Sequence, residues 1–120
     1  MNFNDNLPIY IQIMNLLTKR IISGELKVGE KLPSVRELST ELKVNPNTIQ
    51  RSYQELEREG VVYTQRGMGT FVSEDRKVLK ELKHNRASSI IMHFIEDMNS
   101  LGFSKDEIIE FVKEKAKEME

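Results

Sequence analysis

The sequence lacks cysteine altogether and has no long apolar run. Without cysteine the chain can form no disulfide, no thiolate zinc site and no iron–sulfur cluster, and it has no thiol nucleophile. An apolar run of about 18 residues, which a membrane-spanning helix needs, is missing, so we expect no membrane partner. The first residues carry neither the basic stretch nor the apolar segment of a secretory signal. We therefore expect a cytoplasmic protein.

An excess of charge of one sign is also absent. The 18 Lys and Arg stand against 19 Asp and Glu, which leaves a net charge of −1 that averages over all faces. No nucleophile–base pair is visible, and the segment 66–70 lacks the lysine and the spacing of a phosphate-binding loop. His93 and Asp97 stand one helical turn apart, but two ligands do not make a metal site. We predict no catalytic residue, no cofactor and no metal.

The first 73 residues predict the elements of a winged helix. Ser34 and Glu37 form a capping box that opens a short helix, and Asn45-Pro46 opens the next one. Two β-rich runs around a glycine-containing turn then indicate a hairpin. Helix, helix-turn-helix and hairpin follow in the order typical of a winged helix. The predicted helices cover residues 8–23, 34–42 and 46–59, and the predicted hairpin covers 61–73.

Residues 74–120 predict two further helices, separated at Gly102. Ser104 and Glu107 form a second capping box. The apolar stripe of the longer helix exceeds what one short helix can cover, so we expect a second subunit to cover it; packing of this tail onto its own winged domain is the alternative. The predicted dimer interface contains Leu79, Leu82, Ile90, Ile91, Phe94, Ile95, Met98, Ile108 and Val112.

The fold class is therefore mainly α with a small β-hairpin. An N-terminal winged helix-turn-helix domain is predicted over residues 1–73, and a C-terminal two-helix dimerisation tail over residues 74–120. Forty-seven residues in two helices are too few to enclose a ligand cavity like that of a larger effector domain. The sequence does not indicate whether the protein has a small-molecule effector.

The third predicted helix has two contrasting faces. Ile49, Tyr53 and Leu56 share one side and are expected in the core. Amides can pair with adenine and arginine with guanine in the major groove, although any globular helix also has a solvated face. The helix-turn-helix before it and the hairpin after it favour DNA. The side opposite the core carries Asn47, Arg51, Gln54 and Arg58.

Other candidate contacts each have two readings. Arg36, in the first turn of the second helix, either forms a salt bridge or contacts a base or phosphate. Tyr53 belongs mainly to the core, with a phosphate contact by its hydroxyl as the alternative. Arg66 at the hairpin tip can enter a minor groove, or the tip only satisfies turn geometry. Helix N-termini offer free amides and hydroxyls, which either hold phosphates or only cap the helix. The residues at such positions are Ser34, Asn47 and Thr48.

Several ordered motifs resemble the GntR family of bacterial transcription regulators. They are Leu32-Pro33-Ser34-Val35-Arg36-Glu37-Leu38, Val44-Asn45-Pro46-Asn47-Thr48, Tyr53-x-x-Leu56-Glu57-x-x-Gly60 and Gly67-Met68-Gly69-Thr70-Phe71-Val72. The match covers roughly residues 7–73, and the short tail resembles the YtrA-like subfamily. Pro46 stands where many members carry an arginine, so that contact is absent here.

The resemblance implies a homodimer that binds a double-stranded DNA operator, an inverted repeat, usually as a repressor. It also implies contacts from the position of Arg36, from the start of the third helix and from the hairpin tip. The alternative function is a winged helix that binds only other proteins. Together these arguments predict eleven DNA-binding residues. They are Ser34, Arg36, Asn47, Thr48, Gln50, Arg51, Tyr53, Arg66, Gly67, Gly69 and Thr70.

Overall fold

The computed structural model describes residue 3 and residues 6–120, and in this part of the chain it contains five helices and one antiparallel pair of strands. The predicted fold class, mainly α with a small hairpin in a winged helix, is confirmed. The elements are α1 (Ile9–Ile22), α2 (Val35–Leu42), α3 (Pro46–Arg58), β1 (Val62–Gln65), β2 (Gly69–Val72), α4 (Arg76–Ser100) and α5 (Lys105–Glu118).

Local hydrogen bonds explain where the helix-turn-helix begins and turns. The amide of Glu37 donates to Ser34 Oγ at 3.0 Å, and the amide of Ser34 donates to Glu37 Oε1 at 3.2 Å, which completes the capping box of α2. α2 ends at Leu42, and the next residue, Lys43, caps it with a left-handed φ of 57°. Asn45 then caps α3, and Pro46 occupies its first turn. The turn between the two helices is therefore fixed by residues 43–45.

The core of the winged helix lies between α1, α2, α3 and the hairpin. α1 contributes Ile13 and Leu17, both fully buried, and α3 contributes Ile49 and Leu56, also fully buried. Burial of such aliphatic side chains is the main source of stability for a domain of this size. The hairpin closes the core with Val61, Val62 and Val72.

The hairpin is supported along its second edge by residues 29–32, which we call the backing segment. β1 and β2 pair from Val62↔Val72 to Gln65↔Gly69. On the free edge of β2, the amide of Val72 donates to the Glu30 carbonyl at 2.8 Å. The amide of Leu32 donates to the Thr70 carbonyl at 2.8 Å. The hairpin, which we call the wing, is thus bonded on both sides of β2.

The chain divides into two compact units within α4. The first unit ends at Leu82 and the second covers residues 83–120. The first unit extends beyond residue 73, because Leu79 and Leu82 pack against its core. The functional boundary predicted after residue 73 stays a prediction. No helix among the described residues is long and apolar enough to span a membrane.

Candidate nucleic-acid interface

The side of α3 opposite the core is open to solvent. Ile49, Tyr53 and Leu56 are at most 5% exposed, so the core side lies where the sequence predicts it. Arg58 Nη1 lies 3.4 Å from Glu55 Oε1, one turn back along the helix. The side thus presents amide and guanidinium groups, which are the groups that pair with base edges. Its exposed members are Asn47, Gln50, Arg51, Gln54 and Arg58.

The N-terminus of α3 differs from the expectation of free amides. The amide of Asn47 donates to Asn45 Oδ1 at 2.8 Å, and the amide of Thr48 donates to the Asn45 carbonyl at 3.0 Å. Pro46 has no amide hydrogen. These first amides of α3 are therefore bonded within the chain. A phosphate at this end would be held by the side chains of Asn47 and Thr48.

The N-terminus of α2 presents Arg36 to solvent. Among the described residues its guanidinium forms no ion pair, and Glu41 instead lies 3.9 Å from Arg20. The hydrogen bond from the Ser34 amide, helped by the Ser34 hydroxyl, holds the pKa of Glu37 below its usual range. Glu37 therefore serves the cap, and Arg36 keeps its donors available.

Tyr53 fastens α3 to the loop that precedes α2. Its hydroxyl donates to the Pro33 carbonyl at 2.6 Å, and burial raises its pKa above the ordinary range. The single proton of the hydroxyl is thus already bonded, and a phosphate contact would require this bond to break. The geometry therefore favours Tyr53 as a core residue rather than a phosphate contact. Its hydroxyl also helps to position the loop that precedes α2.

A groove of about 340 Å³ joins the start of α2, the side of α3 and the wing. Glu57 holds its two walls together, because its carboxylate accepts a hydrogen bond from the Thr64 amide at 3.1 Å. Six of the eleven predicted DNA-binding residues line this groove, together with Gln54 of the exposed side of α3. Those predicted residues are Ser34, Gln50, Tyr53, Gly67, Gly69 and Thr70.

Lys31 adds a cation to this groove that the sequence reasoning missed. A Cβ on Gly69, whose φ is 122°, would lie 2.7 Å from Lys31 Cε, so the lysine stem crosses the wing at this glycine. The position of Lys31 depends on the pairing of the backing segment with β2. No local motif marks such a long-range pairing, so the sequence carries no signal for it.

The tip of the wing is formed by Arg66, Gly67 and Met68. All three are exposed, and Gly67 has a φ of 79° with open space around it. The amide of Met68 closes the turn on the Gln65 carbonyl at 2.9 Å. Gly67 therefore serves the turn geometry, while the side chain of Arg66 is available to a groove of DNA.

The predicted dimer-interface residues fall into two groups. Leu79 and Leu82 pack against the core of the first unit but remain half-buried, whereas Ile108 is 5% exposed and is covered within the chain. The other six lie in the second unit and are exposed or half-buried. They are Ile90, Ile91, Phe94, Ile95, Met98 and Val112.

An open apolar groove of about 500 Å³ lies within the second unit. Phe94 and Met98 of α4 form one wall, and Phe111 and Val112 of α5 form the other. Phe103 packs edge-on against Phe111, with ring centroids 5.7 Å apart. No group of three or more His, Asp or Glu among the described residues is placed to hold a metal ion.

A winged helix whose third helix presents amide and guanidinium groups is typical of DNA-binding proteins of the transcription-regulator class. The model of the bacterial regulatory proteins of the gntR family matches residues 9–72, and the chain belongs to this family. Its members named below are transcriptional regulators rather than enzymes, which agrees with the predicted absence of catalysis.

Three comparisons define the subfamily and the fold. The transcriptional repressor YtrA of Bacillus subtilis is 42% identical over 89% of this chain and 83% of its own, which supports the YtrA-like subfamily. The structure of a GntR family regulator from Listeria monocytogenes is 44% identical and covers 93% of this chain and 98% of its own, with a TM-score of 0.86. AraR(DBD) in complex with operator ORR3 is 29% identical over 61% of this chain and 88% of its own, with a TM-score of 0.56.

Proposed function

We propose that the protein binds an inverted-repeat DNA operator as a homodimer and represses transcription. The observation that carries the proposal is the exposed side of α3, which holds amide and guanidinium groups opposite a buried core and borders the groove to the wing. These groups can read adenine and guanine in the major groove. The operator complex of AraR supports the same use of a related domain. Since bacterial DNA lies in the cytoplasm, we place the protein there.

Three parts of the first unit would share the contacts. α3 would read bases, Arg36 at the start of α2 would contact a base or phosphate, and the wing would enter the minor groove. Tyr53 would act by holding the loop before α2 rather than by donating to DNA. The proposed contacts come from Ser34, Arg36, Asn47, Thr48, Gln50, Arg51, Arg66, Gly67, Gly69 and Thr70.

A winged helix that binds only proteins is the alternative function. Protein interfaces are centred on buried apolar or aromatic anchors. The exposed side of α3 offers none, because its members are Asn47, Gln50, Arg51, Gln54 and Arg58. This composition favours DNA over a protein partner.

The decisive experiment compares three variants on a duplex that the parent protein selects from a random-sequence library. Arg36→Ala and Arg51→Ala should each weaken binding, by about 1–3 kcal/mol where the arginine makes a bidentate base contact. Lys43→Ala removes a cation from the turn before α3 and should cost less, equally on the selected duplex and on a scrambled one. Fluorescence anisotropy measures all affinities. An arginine variant with unchanged affinity for both duplexes contradicts its contact, and a library that yields no preferred duplex contradicts the function.

The homodimer is supported by the apolar side chains that the second unit leaves in solvent. Ile90 is 66% exposed, Ile91 55% and Phe94 39%, all on α4. Beside them lies the apolar groove between α4 and α5. Contiguous exposed apolar surface of this kind marks an interaction site. A second copy offers the same apolar side chains in return, as a two-fold interface requires.

Charge placed on this surface should separate the subunits. The double variant Ile91→Glu with Phe94→Glu should be monomeric at micromolar concentration, because two carboxylates cannot be buried without partners. Asn85→Glu, at an exposed polar position of the same helix, should remain dimeric. Light scattering coupled to size-exclusion chromatography measures the mass. A parent chain that is itself monomeric refutes the dimer.

The footprint on DNA tests the symmetry. A dimer would place its two α3 helices on half-sites about one helical turn apart, about 34–36 Å. Footprinting should therefore show a two-fold symmetric pair of protected half-sites. Protection of one asymmetric half-site by a dimeric protein would contradict the arrangement.

A further inference from the structure

Tyr10, in the N-terminal turn of α1, contacts α3 at two points. The guanidinium carbon of Arg51 lies 3.8 Å from the centroid of the Tyr10 ring. The hydroxyl of Ser52, the next residue of α3, shares its proton between the Tyr10 carbonyl at 2.9 Å and the Thr48 carbonyl at 3.1 Å. Two neighbouring residues of α3 therefore fix Tyr10, one at its ring and one at its backbone.

A distance of 3.8 Å between the guanidinium carbon and the ring centroid is the separation of stacked planes, and such stacking uses the face of a guanidinium and leaves its edge free. The five N–H donors of arginine lie in the guanidinium plane, so a ring against the face does not take them. Among the described residues Arg51 forms no ion pair with a carboxylate. The side chain is thus held in place while its donors remain available.

An exposed arginine normally loses much of its rotamer freedom when it binds a ligand. A side chain that is already held in the free protein loses less, and this preorganisation appears as affinity. Half-buried Tyr10 supplies that restraint to Arg51, which is exposed.

We infer that Tyr10 is a positioning residue for DNA recognition: its ring holds the Arg51 guanidinium in the orientation used on the operator, and its hydroxyl is not required. This inference rests on the proposed function, because it needs Arg51 to contact DNA. It adds a residue of α1 to an interface otherwise built from α2, α3 and the wing.

The test is a double-mutant cycle in the full-length protein, on the duplex selected by the parent from a random-sequence library. Tyr10→Leu should weaken binding about two- to tenfold, the loss expected for one side chain that must be ordered on binding. Tyr10→Phe should bind like the parent, because the ring remains. In the Arg51→Ala background, Tyr10→Leu should cause no further loss.

Each other outcome has a distinct meaning. If Arg51→Ala binds as tightly as the parent, the contact proposed for Arg51 fails. If Arg51→Ala weakens binding but Tyr10→Leu does not, or if the two losses multiply in the double variant, Tyr10 does not act through Arg51 and the inference is overturned. If Tyr10→Phe loses as much as Tyr10→Leu, the hydroxyl is needed and the inference is also overturned. Thermal melting of each variant identifies loss of fold. If Tyr10→Leu does not fold, the affinities of the Tyr10→Phe and Arg51→Ala variants decide whether the inference stands.

Discussion

Replacing Tyr53 by Phe should lower the free energy of unfolding by about 1–2 kcal/mol at neutral pH. The residue is 5% exposed and its ring remains, so the substitution opens little space in the core. It removes the 2.6 Å hydrogen bond from the hydroxyl to the Pro33 carbonyl. Because Pro33 is half-buried, water can replace that donor only in part.

The same substitution should change how stability depends on pH. Burial, reinforced by the negative charge of Glu37, raises the pKa of Tyr53 above its ordinary value of 10.0. Above about pH 10 the unfolded chain therefore loses this proton while the folded chain keeps it. The contribution of Tyr53 is complete below that pH and falls as pH rises, by up to about 1.4 kcal/mol per pH unit. The Phe variant lacks this slope.

Urea denaturation followed by circular dichroism, at one fixed protein concentration, measures both effects. Tyr63→Phe is the matched control, because Tyr63 is half-buried and its ring stacks on Phe71 at 5.6 Å between centroids. It should stay within about 0.5 kcal/mol of the parent. An unchanged urea midpoint for Tyr53→Phe at neutral pH would refute the reasoning. So would a difference from the parent that stays constant into the alkaline range.

Further predictions concern the wing and α2. Gly69→Ala should cost about 1–3 kcal/mol in urea denaturation, since its φ of 122° strains any other residue, whereas Met68→Ala, at a side chain 61% exposed, should be nearly neutral. Ser34→Ala should raise the Glu37 pKa partway to its ordinary value in an NMR titration, because the hydroxyl is lost and the amide remains. Lys43→Gly should raise the free energy of unfolding by up to about 1 kcal/mol, because it relieves a left-handed φ of 57°. An opposite sign in any of these contradicts its assigned cause.

Features that depend on a few neighbouring residues could be predicted from the sequence. The Ser-x-x-Glu pattern identified the caps at Ser34 and Ser104, and both boxes are complete. The buried side of α3 followed from its helical period alone, because Ile49 and Leu56 lie seven residues apart. The exposed side opposite followed with it.

Features that depend on the meeting of distant segments could not be predicted. Tyr10 meets Arg51 and Lys31 meets Gly69 only because α1 packs on α3 and the backing segment pairs with β2. At the start of α3 the sequence left both phosphate binding and capping open. Asn45 was identified as a cap, and its side chain accepts the hydrogen bond of the Asn47 amide, so this amide is not free for a phosphate.

The backing segment couples the wing mechanically to the start of α2. It is bonded to β2 along one stretch and continues directly through Pro33 into the first turn of α2, where Arg36 lies. Movement of the wing relative to α2 therefore cannot take place at a flexible hinge between them. Such movement must either break main-chain hydrogen bonds or displace Arg36 as well. We therefore expect weak binding to a DNA half-site in which the distance between the wing contact and the Arg36 contact is wrong, because neither the wing nor the start of α2 can move to its groove independently.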